Sequence, residues 1–260
     1  MFTKADQLLV GAIDMHAHGY PQFSLNLPAR VDDYEWAEAA ADAGMAGFVI
    51  KSHMWPTMSS AYMINKLFDE ITAYGSITLN DIVGGINPAY VEVAAESGAK
   101  VVFMPTWSGV NDVDHGCHFF NRMRPFVSRI DGALEGRGGV PTLDANGNLL
   151  PNVIEVIEVC KEYDLVLASG HISIGESLKL AEQAAKTGVK FVLTHPLLSP
   201  LIAATHEQMK EVANMGGYIE HVFVGCMPMH NRMNPHDIYD AIEYVGAEHC
   251  IMSSDAIEGW

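Results

Sequence analysis

Short apolar runs alternate with amphipathic stretches along the whole chain. The apolar runs predict strands over residues 11–15, 47–51, 82–86, 101–105, 165–169, 190–194, 218–221 and 250–253. Between them the 3.6-residue periodicity predicts helices over 32–43, 61–74, 90–97, 154–163, 174–186, 206–215 and 236–245. Gly44, Gly98, Gly188, Gly216 and Gly246 each precede a strand or its lead-in, where a helix ends in a left-handed cap. Near-continuous apolar strands separated by helices imply a parallel sheet covered on both faces. Eight such units predict a (β/α)8 TIM barrel of the α/β class, with a doubly wound open sheet as the rival.

Two places break the regular alternation. Residues 106–151 form a long excursion after the fourth strand, expected to act as an inserted lid. Within it Asn146-Gly147 predicts a hairpin with a type I′ turn. After the last predicted strand the sequence shows no eighth helix, so either the chain is truncated there or a neighbouring subunit of a homo-oligomer covers that side.

Bulk properties narrow the field. The 260 residues suit one (β/α)8 domain spanning 1–260, with 49% apolar and 18% charged residues, enough for a sizeable core. A net charge of −17 argues against nucleic acid and anionic membrane partners, since both select basic surfaces. Cys117, Cys160, Cys226 and Cys250 form no CxxC pair, so no disulfide framework is expected. With no leader-like N-terminus and no apolar run long enough to cross a bilayer, a cytoplasmic protein acting on a small molecule is expected. No GxGxxG follows a strand, and neither a P-loop nor a GxSxG elbow occurs.

The chemistry lies in where the histidines fall. His16 and His18 close the first strand as Asp-Met-His-Ala-His, His171 closes the fifth, His195 the sixth, and Asp255 follows the eighth. One histidine at a strand end is an ordinary satisfied residue; five metal-competent side chains at successive strand ends are not easily explained that way. Residues two apart on a strand share a face, so His16 and His18 aim at one point at the barrel mouth. Imidazole and carboxylate ligands suit zinc first, with manganese or iron as alternatives. Such an ion lowers the pKa of water to ~7 and polarises a carbonyl.

This pattern resembles the metal-ligand set of the amidohydrolase superfamily. Segments such as Gly11-Ala-Ile-Asp-Met-His-Ala-His, Phe48-Val-Ile-Lys-Ser-His53, Gly84-Gly-Ile-Asn-Pro88 and Phe103-Met-Pro-Thr106 are similar to a family of unknown function, domain 6282. The resemblance implies that His16, His18 and Asp255 hold the more buried metal. It implies that His171 and His195 hold a second ion, or that His171 joins a single ion while His195 contacts substrate. Binuclear relatives draw a bridging carboxylated Lys or Glu from strand four, and this chain has neither there. Lys51, at the end of the second strand, is the nearest substitute. It is read as a carboxylated bridge, as a free ammonium that binds an anion or stabilises an oxyanion, or as a plain partner of Asp14 or Asp255.

The expected activity is a metal-dependent hydrolase that attacks an amide, imide, lactone or related carbonyl with metal-activated water. Asp255 serves as ligand and proton shuttle, and His195 or Lys51 as the charge stabiliser. The alternatives are a mononuclear lyase (a decarboxylase or hydratase) and a non-catalytic metal-binding protein. His53, His221 and His115 are expected substrate contacts, with His221 preferred over Glu220 as the inward residue of the seventh strand. In the excursion Asn111, Asp112, Asp114 and His118 read as solvated loop residues, and Arg122, Arg124 and Arg129 as a clustered positive patch. His206, His230, His236 and His249 read as structural.

Overall fold

The computed structural model describes residues 3–22, 24–26, 30–116, 125, 129, 138–198, 200–228 and 232–256. Eight parallel strands follow one another around the sheet in chain order: β1 (Ile13–Ala17), β2 (Gly47–Ile50), β3 (Thr72–Thr78), β4 (Ala99–Phe103), β5 (Val166–Ala168), β6 (Lys190–Leu193), β7 (Tyr218–Val222) and β8 (Cys250–Ser253). The ring closes just beyond β8, where a parallel bridge joins Ala17 to Ala256. There the Asp255 N–H donates to the His16 carbonyl at 2.8 Å and the His18 N–H to the Ala256 carbonyl at 3.2 Å. The fold is a (β/α)8 barrel, as the alternation predicts.

The described helices are α1 (Lys4–Leu9), α2 (Asp33–Asp42), α3 (Met58–Leu67), α4 (Pro88–Glu96), α5 (Val110–Asp114), α6 (Pro151–Glu162), α7 (Ile174–Thr187), α8 (His206–Asn214) and α9 (Pro235–Val245). Local chemistry sets several starts: Asp32, Ser173 and Thr205 each close a capping box with the residue three positions on. None of the described helices is long and apolar enough to cross a membrane.

Strand alternation builds two apolar layers. Val49, Val101, Phe103, Ala168 and Val192 pack inside the barrel, joined by Met15, Tyr74, Val166 and Ile251. Their neighbours Phe48 and Ile50 face α2 and α3, while Val102, Met104, Leu167, Phe191, Leu193 and Ile219 join the layer beneath the other helices. Cys160 is free and sits in that outer layer.

Three sequence expectations are corrected. The third strand is Thr72–Thr78, not 82–86, and the helix expected over 61–74 stops at Leu67. β3 reads as polar because Ser76 and Thr78 are buried hydroxyls whose bonds are satisfied across the ladder: Ser76 Oγ donates to the Ile50 carbonyl and Thr78 Oγ1 to the Ser52 carbonyl, both at 2.7 Å. The apolar 82–86 stretch instead opens a 3-10 turn, Asp81–Val83, with Ile82 exposed and Gly84 and Gly85 at positive φ. In the excursion the hairpin exists, with Leu143 bridged antiparallel to Leu149, but its turn is not type I′. The Gly147 N–H donates to the Asp144 carbonyl at 2.9 Å, and among the turn residues only Gly147 has positive φ (78°). That geometry is a turn closed by a glycine bulge, which moves the turn one residue towards the N-terminus. Asn111, Asp112 and Asp114, read as solvated loop residues, lie in α5. His118, His230, Arg122 and Arg124 lie outside the described residues, as does most of the proposed positive patch.

Candidate metal centre at the barrel mouth

A bulge in β1 shapes the centre. From Asp14 (opposite Phe48) to Ala17 (opposite Ile50) β1 advances three residues while β2 advances two. Met15 therefore packs inside the barrel while Ala17, of the same parity, packs outside. The extra residue lets His16 and His18 converge on the mouth, a common use of bulges beside functional sites.

Across the seam, Asp255 has φ 47°, a left-handed conformation that costs a non-glycine residue on the order of 1 kcal/mol. One oxygen of its carboxylate, Oδ1, lies 3.1 Å from His16 Nε2 and 3.2 Å from His18 Nε2. Asp14 ties the same seam from behind: its Oδ1 accepts from the His16 N–H at 2.9 Å and the Ser254 N–H at 3.2 Å. The other His16 nitrogen, Nδ1, lies 3.2 Å from Glu220 Oε2 on β7. Carboxylate, histidine and ligand position form a chain of the kind that fixes the tautomer of a metal-ligating imidazole.

The donor set fits a divalent ion. His16, His18 and Asp255 offer ligand atoms all within 4.8 Å of one another. Tetrahedral zinc with ligands at ~2.0–2.1 Å would space them by roughly 3.3 Å, close to the two observed 3.1–3.2 Å edges. Both Nε2 atoms are buried without an aligned hydrogen bond, a costly state for polar atoms unless something else takes their lone pairs. Burial pushes His16 down to about 3 and His18 down to about 4, so both rings are neutral and ready to ligate. Burial likewise raises Glu220 to about 7 and Asp14 to about 6.

The β5–β6 side is built differently. By the alternation of inward Val192 and outward Leu193, position 195 has outward parity. A left-handed φ of 30° at His195 accompanies its turn into the mouth, where its ring centroid lies 6.0 Å from His16 and 5.0 Å from His171. Gly170 enables the approach of His171: its φ is 61° and a Cβ there would sit 2.3 Å from the Met104 carbonyl oxygen. His171 Nδ1 lies 2.6 Å from Asp112 Oδ2 of α5.

Lys51 ends the inward row of β2, wholly buried, with Nζ 5.0 Å above the Phe103 ring and no hydrogen-bond partner among the described residues. Burial lowers it to about 8, against the pull of Asp255 and Glu220. His53 is buried beside it, its ring 4.8 Å from His18, 5.7 Å from His171 and stacked 3.5 Å from Trp107. Its Nδ1 lies 2.9 Å from Thr106 Oγ1. Asn80 anchors that corner, donating to the His53 carbonyl and to Thr106 Oγ1 and accepting from the Thr106 and Ser108 N–H groups.

Thus His16, His18, Lys51, His53, His171, His195 and Asp255 gather at one end of the barrel. Two expected substrate contacts do not. His115 is exposed at the end of α5, its Nδ1 2.7 Å from the Asn111 carbonyl, because the helical turn points it away from the mouth. On β7 the inward residue is Glu220, not His221: outward Ile219 fixes the parity. His221 is buried instead in a small cavity with Leu198, Val222, Met233 and Ile238, which His195 and Glu220 also border. Sequence reasoning undervalued Asn111 and Asp112, which are buried, and passed over Asn80 and Thr106. For Thr106 the available signal was a polar residue directly after the predicted fourth strand; Asn80 had none, because β3 itself was not legible.

The comparisons agree with this architecture. No curated protein matches the chain. An amidohydrolase from Pseudomonas aeruginosa is similar in structure, with a TM-score of 0.60 and 12% identity over 98% of this chain and 76% of that one. The probable dipeptidase PvdM, also from Pseudomonas aeruginosa, gives a TM-score of 0.54 and 12% identity over 99% of this chain and 88% of that one. At such identities the likeness establishes the shared barrel. Residues 11–220, which carry β1 through most of β7 and so most of the mouth, match the family of unknown function DUF6282, and the chain belongs to that family.

Proposed function

We propose that this protein is a metal-dependent hydrolase of the amidohydrolase type, acting on an amide, imide, lactone or related carbonyl of a small molecule. The observation that carries the reading is the His16, His18 and Asp255 group at the C-terminal mouth of a closed parallel barrel, the end where barrel enzymes place their chemistry. The structural likeness to an amidohydrolase supports it. A divalent ion, zinc ahead of manganese or iron, would be held by those three residues and would supply Lewis acidity and a water of lowered pKa. Asp255 accepts the proton of the attacking water and returns it to the leaving group. His195, whose Nδ1 is buried and unpartnered among the described residues, and Lys51 stabilise charge developing on the carbonyl oxygen. Trp107 and His53, buried and stacked, exclude bulk water from that side.

A second reading has its own support. Among the described residues one compact three-ligand group occurs, and the inner end of β4 offers Phe103, its ring 5.4 Å from His16, where a bridging ligand would be needed. A single ion suits a mononuclear lyase, a decarboxylase or hydratase, as well as a hydrolase. The deciding experiment combines elemental analysis of the purified protein with panels of lactones, imides, amides and carboxylate substrates, run on the parent and on Asp255→Asn. Turnover of a lactone, imide or amide that disappears in the variant supports the hydrolase. Release of carbon dioxide or water from a carboxylate substrate supports the lyase. A protein that binds neither zinc nor manganese nor iron overturns both.

A further inference from the structure

The excursion after β4 contributes to the mouth through two consecutive residues of α5. Asp112 Oδ2 lies 2.6 Å from His171 Nδ1. Asn111 Nδ2 donates to the His171 carbonyl at 2.9 Å and to the Leu201 carbonyl at 2.8 Å. All three side chains are buried or nearly so. One short helix outside the barrel therefore grips His171 by ring and backbone, and grips the segment that follows His195. The Asp112 carboxylate has no described hydrogen-bond partner other than His171, and His171 Nε2 makes no hydrogen bond among the described residues. A carboxylate accepts and does not donate when ionised, so the proton of this contact sits on Nδ1.

We propose that Asp112 is the positioning residue of His171. Through this contact the Nδ1 proton is held in place, so that the ring in its neutral form presents Nε2 as an acceptor towards the mouth, 5.0 Å between ring centroids from His195. In that form His171 meets a donor atom of the substrate or a cation rather than a carbonyl oxygen. Asn111 fixes the strand end on which that ring turns. The inference deepens the functional reading above by assigning the acceptor role to one histidine, but the tautomer stands whether or not the protein is a hydrolase.

The test is nitrogen-15 NMR of the histidine-labelled full-length protein as purified, with the His171 signals identified by their loss in His171→Gln. The expected spectrum has His171 Nδ1 protonated and Nε2 unprotonated. Asp112→Ala should shift the ring towards the Nε2–H form while the other histidine signals stay in place. Should Asp112→Ala fail to fold, Asp112→Leu, close in shape and without an acceptor, takes its place. A proton on Nε2 in the parent, or a His171 pattern indifferent to Asp112, overturns the proposal. Once a substrate is known, Asp112→Ala should lower kcat about 10–100-fold with KM little changed; that result bears on the enzyme reading, and its absence with the tautomer intact would count against the hydrolase rather than against Asp112.

Discussion

The two sides of the barrel mouth solve one problem by different means. On the β8–β1 seam the barrel supplies everything: a bulge in β1, the closing hydrogen bonds, and three acidic residues (Asp14, Glu220, Asp255) around two histidines. On the β5–β6 side the strands deliver His171 and His195 but no carboxylate. The one that reaches His171 comes from α5, an inserted element. The difference suggests that ion binding belongs to the seam, where ligands are preformed by the barrel, while the other side is tuned by whatever the excursion carries.

The strongest way to break this comparison is to count bound ions in single-ligand variants. His16→Ala or Asp255→Ala should take the protein from about one ion per chain to nearly none, because two remaining ligands hold zinc poorly. His171→Ala should keep the ion. If His171→Ala empties the centre as fully as His16→Ala does, measured by elemental analysis, the seam is not self-sufficient.

Backbone constraints give the next largest effect. Gly170→Ala must accommodate a Cβ 2.3 Å from the Met104 carbonyl oxygen at a φ of 61°. A loss of about 2–4 kcal/mol is expected in denaturant unfolding, together with a displaced His171. Stability unchanged within 0.5 kcal/mol, roughly the scatter of harmless surface changes, would contradict the tight packing of that turn.

Acid should weaken the metal-free seam. Folding holds His16 and His18 neutral, with values lowered to about 3 and about 4 from 6.5. The unfolded chain therefore binds more protons in that window. The histidine contribution to stability is full above pH 6.5 and is lost as pH falls towards 4, by on the order of a few kcal/mol, while Glu220 and Asp14, raised to about 7 and about 6, pull the opposite way. His16→Gln should flatten that dependence. A stability difference between His16→Gln and the parent that stays constant from about pH 7 to about pH 4 would mean that His16 is charged in the fold. The smallest effect belongs to the hairpin far from the chemistry. Gly147→Ala places a side chain at a φ of 78° in ordinary contact with Lys179 Nζ at 4.0 Å, costing about 1 kcal/mol with ion content untouched.

How much could be read from the chain alone varied by element. The helices at 174–186 and 206–215 were legible because capping boxes and apolar periodicity coincide there. β3 was not, because its buried hydroxyls satisfy themselves on carbonyls of the neighbouring strand, and those partners are absent from any one-dimensional pattern. His16, His18 and Asp255 were legible as strand-end ligands. Glu220 and His221 were ambiguous by one register step, and outward Ile219 decided between them.

The sequence by itself determined the barrel, its strand-end histidines and Asp255, since periodicity and position within a repeat are local properties. Tertiary structure alone decided the bulge that brings His16 and His18 to one carboxylate oxygen, the left-handed turn that swings His195 inward, and the reach of Asp112 across 59 positions to His171. Each of these depends on which distant backbone or side chain fills the neighbouring space. Distance along the chain carries no trace of that packing.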